Sequence, residues 1–130
     1  MEQALQNLMS PDNGVRNRTE NTMTSEIRQN PNRVISGLVE TMRKCEKVSL
    51  RSMAAVLLRR YLLDAKFRLW AKAGDGTKNA LKTALLQALA NENQRVVWTK
   101  LCDTISELAI GTNFDWPNLF PFLIKCASGN

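Results

Sequence analysis

The chain has 130 residues, the length of one domain, and 44% apolar against 23% charged residues place it among globular rather than disordered proteins. Eighteen basic and 12 acidic side chains leave a net charge of +6, which permits an acidic protein, nucleic acid or a membrane surface as partner and selects none of them. There is no His, and Cys45, Cys102 and Cys126 are widely spaced with no CxxC, so a disulfide framework, the common zinc sites and His-based catalysis are all disfavoured.

The N-terminal stretch Met1–Gly14 has no long apolar core and is not expected to be a signal peptide. No run approaches the roughly 20 apolar residues of a membrane helix. The three cysteines are expected as core thiols of a reducing compartment, and the Asn17-Arg18-Thr19 sequon matters only in a secreted chain.

Residues 2–9 carry Leu5, Leu8 and Met9 at helical spacing, and Ser10-Pro-Asp-Asn-Gly14 is a turn. From Asp12 to about Arg28 one helical face holds Val15, Thr19, Thr22, Met23, Glu26 and Ile27, of which only three are apolar. Gln29-Asn-Pro-Asn32 is the next turn, with Pro31 suited to the first position of a helix. Ile35, Leu38, Val39 and Met42 then follow the i, i+3, i+4, i+7 pattern.

Arg51–Leu63 is apolar on nearly every side and must be buried between neighbours, with Ser49 as its expected cap. Residues 64–76 read as a basic, aromatic connection ending at Gly74-Asp-Gly76, and Thr77 is the expected N-cap of the helix that follows. That helix has Leu81, Ala84, Leu85, Ala88 and Leu89 on one face. Asn91-Glu-Asn93 breaks it. The next has Val97, Leu101, Thr104, Ile105, Leu108 and Ala109, with Gly111 as its expected C′ residue. Asn113–Pro117 is a turn, and a last helix starts over Leu119–Cys126. No segment alternates as a strand would, so the fold class is all-α.

The second helix of each pair opens on an apolar residue followed by a large one: Val15-Arg16, Leu50-Arg51, Val97-Trp98. The longer separation fits the ~40–47-residue period of HEAT-type repeats and the shorter falls slightly below it. The expectation is an α-α superhelix of HEAT/ARM type with about three and a half antiparallel helix pairs, each contacting its neighbours. Its repeats run from about 2 to 28, 31 to 65 and 77 to 111, with a half-repeat from about 115 to 127. Ending on an apolar half-repeat, with Phe120, Phe122, Leu123 and Ile124, the chain is expected to be the N-terminal piece of a longer protein.

Four stretches resemble the N-terminus of importin-β (karyopherin-β) nuclear transport receptors: Leu8–Arg16, Arg51–Arg60, Trp98–Ala109 and Trp116–Leu123. Within the family they look most like the importin beta-3 (Ran-binding protein 5) class. Trp98 stands where Arg is usual, and Thr19 where Ala is more usual. The resemblance implies a curved solenoid that binds RanGTP with the second helices of its N-terminal repeats and releases import cargo when Ran binds. It also implies contact with Phe-Gly repeats of nucleoporins, mostly beyond this chain, and shuttling between cytoplasm and nucleus. No cofactor or membrane is implied.

The candidate partner-binding residues are Arg16, Met23, Arg51, Arg59 and Arg60. Arg16 and Arg51 lie in the first turns of their helices, where a cation gains nothing from the helix dipole. Each is open to two readings: a ladder between repeats, with Asp12, Glu46 or Asp103, or contact with Ran. For Arg59 and Arg60 the alternatives are a helix C-terminal cap and solvent, or contact with Ran, a cargo acid or an acid of the next repeat. Met23, Met53 and Tyr61 are core side chains unless exposed to a partner. Lys66, Phe67, Arg68, Trp70 and Lys72 mix cations with aromatics as single-strand nucleic-acid binders do, but too briefly to make nucleic acid the expected partner. Asp103 and Glu107 read as solvated acids, and no GxSxG, P-loop or HExxH occurs. A binding module is therefore expected rather than an enzyme; the alternative to a Ran-regulated receptor is a HEAT scaffold without Ran dependence.

Overall fold

In a computed structural model, which describes residues 1–128, the chain is all-α. Gly129 and Asn130 lie outside the described residues. Helix α1 (Glu2–Leu8) forms a hairpin with α2 (Asn13–Gln29), α3 (Pro31–Lys44) with α4 (Val48–Leu63), and α6 (Asp75–Asn91) with α7 (Arg95–Gly111). A short α5 (Leu69–Lys72) lies in the connection before α6, and α8 (Leu119–Ser128) follows α7. The first helices stack as one layer, α3 on α6 and α6 on α8. The second helices form the other, where α4 packs closely along α7. This is the α-α superhelical architecture of the HEAT/ARM type.

Local chemistry sets the helix starts. Asp12 caps α2 by accepting hydrogen bonds from the Gly14 and Val15 amides at 2.8 and 3.3 Å. Pro31 opens α3 at its first position, where a missing N–H costs nothing. In α6 and α7 the predicted faces are the buried ones: all five periodic residues of α6 and all six of α7 are in the core, whereas on the earlier faces Met9 and Thr22 are exposed and Val39 is half-buried. Helix α4 buries Leu50, Ala54, Ala55, Leu57, Leu58, Tyr61 and Leu62, contacted from both sides by α3 and α7. Helix α2 buries only Thr19, Met23 and Ile27 of its 17 residues, as its sparse apolar face predicts.

The structure corrects four local expectations. Ser49 does not cap α4, because the helix begins one residue earlier, after Lys47. Thr77 lies inside α6, which starts at Asp75 behind Gly74, whose amide donates to the Asn32 side chain at 3.0 Å. The 64–76 connection contains the single turn α5, entered through Arg68 in the left-handed region at φ 49°. Gly111 is not a left-handed cap residue but the last helical residue of α7. The left-handed residues are Asn113 and Phe114 at φ 57° and 59°, and the Phe114 amide closes the turn on the Ala109 carbonyl at 2.7 Å. Glycine at 111 answers a close approach instead: a Cβ there would lie 2.7 Å from the Leu63 side chain of α4.

Candidate functional site

The three second helices share one register. Arg16, Arg51 and Trp98 are each the fourth residue of α2, α4 and α7. From that position the Arg16 guanidinium donates to the Ser10 carbonyl at 2.6 Å, and that of Arg51 to the Cys45 carbonyl at 2.9 Å. In both cases the acceptor lies six residues back, at the end of the preceding helix or just past it. A cation at the unfavourable end of a helix is thus explained by its own hairpin turn, whose exposed carbonyls it satisfies.

Arg51 also crosses to the next repeat. Its Nε and Nη2 donate to the two carboxylate oxygens of Glu92 at 3.0 and 3.1 Å. The pair is well covered, with side chains 14% and 7% exposed. Burial pushes the Glu92 carboxyl up, but the Arg51 hydrogen bonds, the Gln94 amide and the Arg51 charge outweigh it and hold the group below its ordinary value. The predicted ladder therefore exists as one rung between Arg51 and Glu92, and neither Asp12, Glu46 nor Asp103 is the acid that Arg16 or Arg51 pairs with. The repeat register marks the position of this acid in the sequence but not its partner. Glu92 stands six residues before Trp98, where Ser10 and Cys45 stand before Arg16 and Arg51.

Arg59 faces Asp103 at 3.7 Å and Glu107 at 3.9 Å, both on α7, which realises the option of an acid in the next repeat. Those two acids, with side chains 46% and 55% exposed, are solvated as expected and also face a cation. Arg60 points elsewhere, over the Phe67 ring at 5.8 Å, with Lys66 over the same ring at 5.3 Å. Met23 and Tyr61 are buried and Met53 half-buried. The basic, aromatic connection does not offer its rings for base stacking. Phe67 is buried edge-to-face against Tyr61 at 4.7 Å, and half-buried Trp70 is covered by Lys78 and Lys82 at 5.4 and 5.5 Å.

Two further features escaped the sequence. Thr104, 1% exposed, donates across the α4–α7 contact to the Ala55 carbonyl at 3.0 Å, sharing its hydroxyl with the Lys100 carbonyl. A cleft of about 160 Å³ opens between α2 and α4, where these helices do not meet as closely as α4 and α7 do. Of the cysteines only Cys45 is buried; Cys102 is half-buried and Cys126 exposed, so the expectation of three core thiols holds for one. Burial pushes the Cys45 and Cys102 thiols up, away from the reactive thiolate. Among the described residues no group of His, Cys, Asp and Glu is placed to hold a metal ion, and no helix is long and apolar enough to cross a membrane.

What the molecule offers is a two-layered helical solenoid whose features are surfaces, clefts and inter-repeat clamps. No family model matches the chain. It is similar to importin-9 of Drosophila melanogaster, at 28% identity over 137 residues. That alignment covers 97% of this chain but only 13% of the relative, so the chain spans about an eighth of the length of the curated protein it matches. The likeness is to an importin and is not specific to the beta-3 class.

Proposed function

We propose that this chain is the Ran-binding end of an importin-type nuclear transport receptor. The observation that carries the reading is the importin-9 alignment, which runs through nearly the whole chain over a fold of stacked helical hairpins. RanGTP binds the layer of second helices, α2, α4 and α7, and import cargo and nucleoporin Phe-Gly repeats bind mostly to later repeats. The coupling is linkage: Ran and cargo favour different shapes of one superhelix, so each lowers the other's affinity by the same factor. The receptor then shuttles between cytoplasm and nucleus and has no enzymatic activity. Within the importins, the four sequence stretches favour the beta-3 class. Titration of the full gene product with Ran loaded with GTP or GDP tests the reading. Strong preference for the GTP form is expected, and equal binding of both forms would overturn it.

A HEAT scaffold without Ran dependence is the second reading. The observation that favours it is that Arg16, Arg51 and Arg59 already have partners inside the chain. Unaltered cargo affinity in the presence of RanGTP would select it.

A further inference from the structure

The cleft between α2 and α4 joins an apolar floor to a cationic rim. Its floor is apolar: Leu57 and Tyr61 are buried on α4, Phe67 packs on Tyr61, and half-buried Met53 lines the opening. Its rim is cationic, with Arg60 and Lys66 both held over the Phe67 ring. Neither cation forms a salt bridge within the described residues, whereas Arg51 and Arg59 are committed to Glu92 and to the α7 acids. The carboxylate that faces this space is that of Glu20 on α2, which is exposed and leaves two cations against one acid. The volume of about 160 Å³ suits one aliphatic side chain rather than a ring system.

We propose that this cleft receives an aliphatic side chain of a protein partner whose neighbouring residue is an aspartate or glutamate, the apolar group lying against Met53 and the edge of Leu57 and the carboxylate meeting Arg60 and Lys66. Charge complementarity fixes the acidic neighbour, since a basic segment would bring its charge to Arg60 and Lys66. The two cations are already positioned by the ring beneath them, so less ordering accompanies carboxylate binding. Glu20, on the opposite wall, disfavours a second carboxylate on its side and so gives the segment a direction. The inference deepens the reading of the second-helix layer as the partner surface and rests on it for the identity of the partner, though not for the chemistry of the cleft.

The test uses the chain labelled with 13C at its methionine methyl groups. The probes are the blocked dipeptides acetyl-Leu-Asp-amide, acetyl-Leu-Asn-amide and acetyl-Leu-Lys-amide, to about 10 mM, since fitted ligands of this size reach millimolar affinity. The Met53 methyl is expected to shift with Leu-Asp while the buried Met42 methyl stays, and binding of Leu-Asn to be about tenfold weaker. The double variant Arg60→Glu with Lys66→Glu, whose folding is checked by circular dichroism, is expected to lose the Leu-Asp response. No Met53 shift, an equal response to Leu-Lys, or an unchanged response in the double variant would overturn the proposal. RanGTP titration of the same variant separates the two readings. Undiminished Ran binding alongside no peptide response removes the cleft alone; a peptide response without any Ran binding removes Ran as the partner and leaves the cleft.

Discussion

Glu92 shows how much a single side chain decides here. It takes both carboxylate oxygens to Arg51 across 41 residues of sequence, and it also accepts from the Gln94 amide at 3.0 Å. Replacing it by Gln keeps the shape and removes the charge, leaving a well-covered guanidinium with weaker acceptors. A loss of about 1.5–3 kcal/mol follows from the usual worth of hydrogen bonds to charged groups, readable as a lower urea midpoint. The pH dependence has a definite sign. The folded carboxyl titrates below its ordinary value of 4.5, so in that window the unfolded chain binds more protons. The contribution is therefore complete above the unfolded value and is lost as pH falls through the folded one. Glu92→Gln should flatten the stability profile as pH falls below the ordinary carboxyl value, relative to the parent chain. Asp12→Ala, by contrast, removes an exposed cap of α2 and should cost about 1 kcal/mol at neutral pH. Periodicity does not reveal a residue like Glu92. It sits in a hairpin turn where it reads as a helix breaker, and its partner is fixed only by how two repeats stack.

At the level of elements, α6 and α7 were legible because one face of each repeats apolar residues at helical spacing and every residue of that face is buried, although Leu86 is buried beside it and Val96 and Ile110 of α7 are exposed. The ends were less legible. Ser49, Thr77 and Gly111 are good cap residues by type, yet each lies inside its helix within three residues of the end, the range over which helix ends are least fixed by residue type alone. Gly111 is explained by Leu63 on another helix, which no local pattern encodes. The same holds for the candidate site. Arg59 and Arg60 are adjacent in sequence, but helical rotation sends one to the α7 acids and the other to Phe67. The contact between α4 and α7 supplies a test of its own. Thr104→Val preserves volume but deletes the hydroxyl that reaches Ala55, and should cost about 1 kcal/mol. Thr104→Ser keeps that hydroxyl and should recover the polar part of the loss, which urea denaturation of the three proteins would resolve.

Across the whole molecule, stability should be graded along the solenoid rather than uniform. In a stack of hairpins each unit is held by its neighbours, so local burial sets local protection. Helix α4 has seven buried residues and lies between α3 and α7, whereas α2 has three and stands apart from α4 across the cleft. Amide hydrogen exchange should accordingly be faster along α2 than along α4, even though α2 has the better cap. Two core truncations make the argument quantitative. Leu58 is fully buried in α4, and Leu58→Ala should cost about 2–5 kcal/mol. That loss should appear as faster exchange in α3, α4 and α7 together. Ile27 is just as buried, but Ile27→Ala should speed exchange in α1 and α2 and leave α7 unchanged. Equal protection of α2 and α4, or an Ile27→Ala effect that reaches α7, would mean that the chain opens as one cooperative block. In that case the cleft would be a rigid notch; graded exchange instead makes its α2 wall the element able to move when a partner side chain enters.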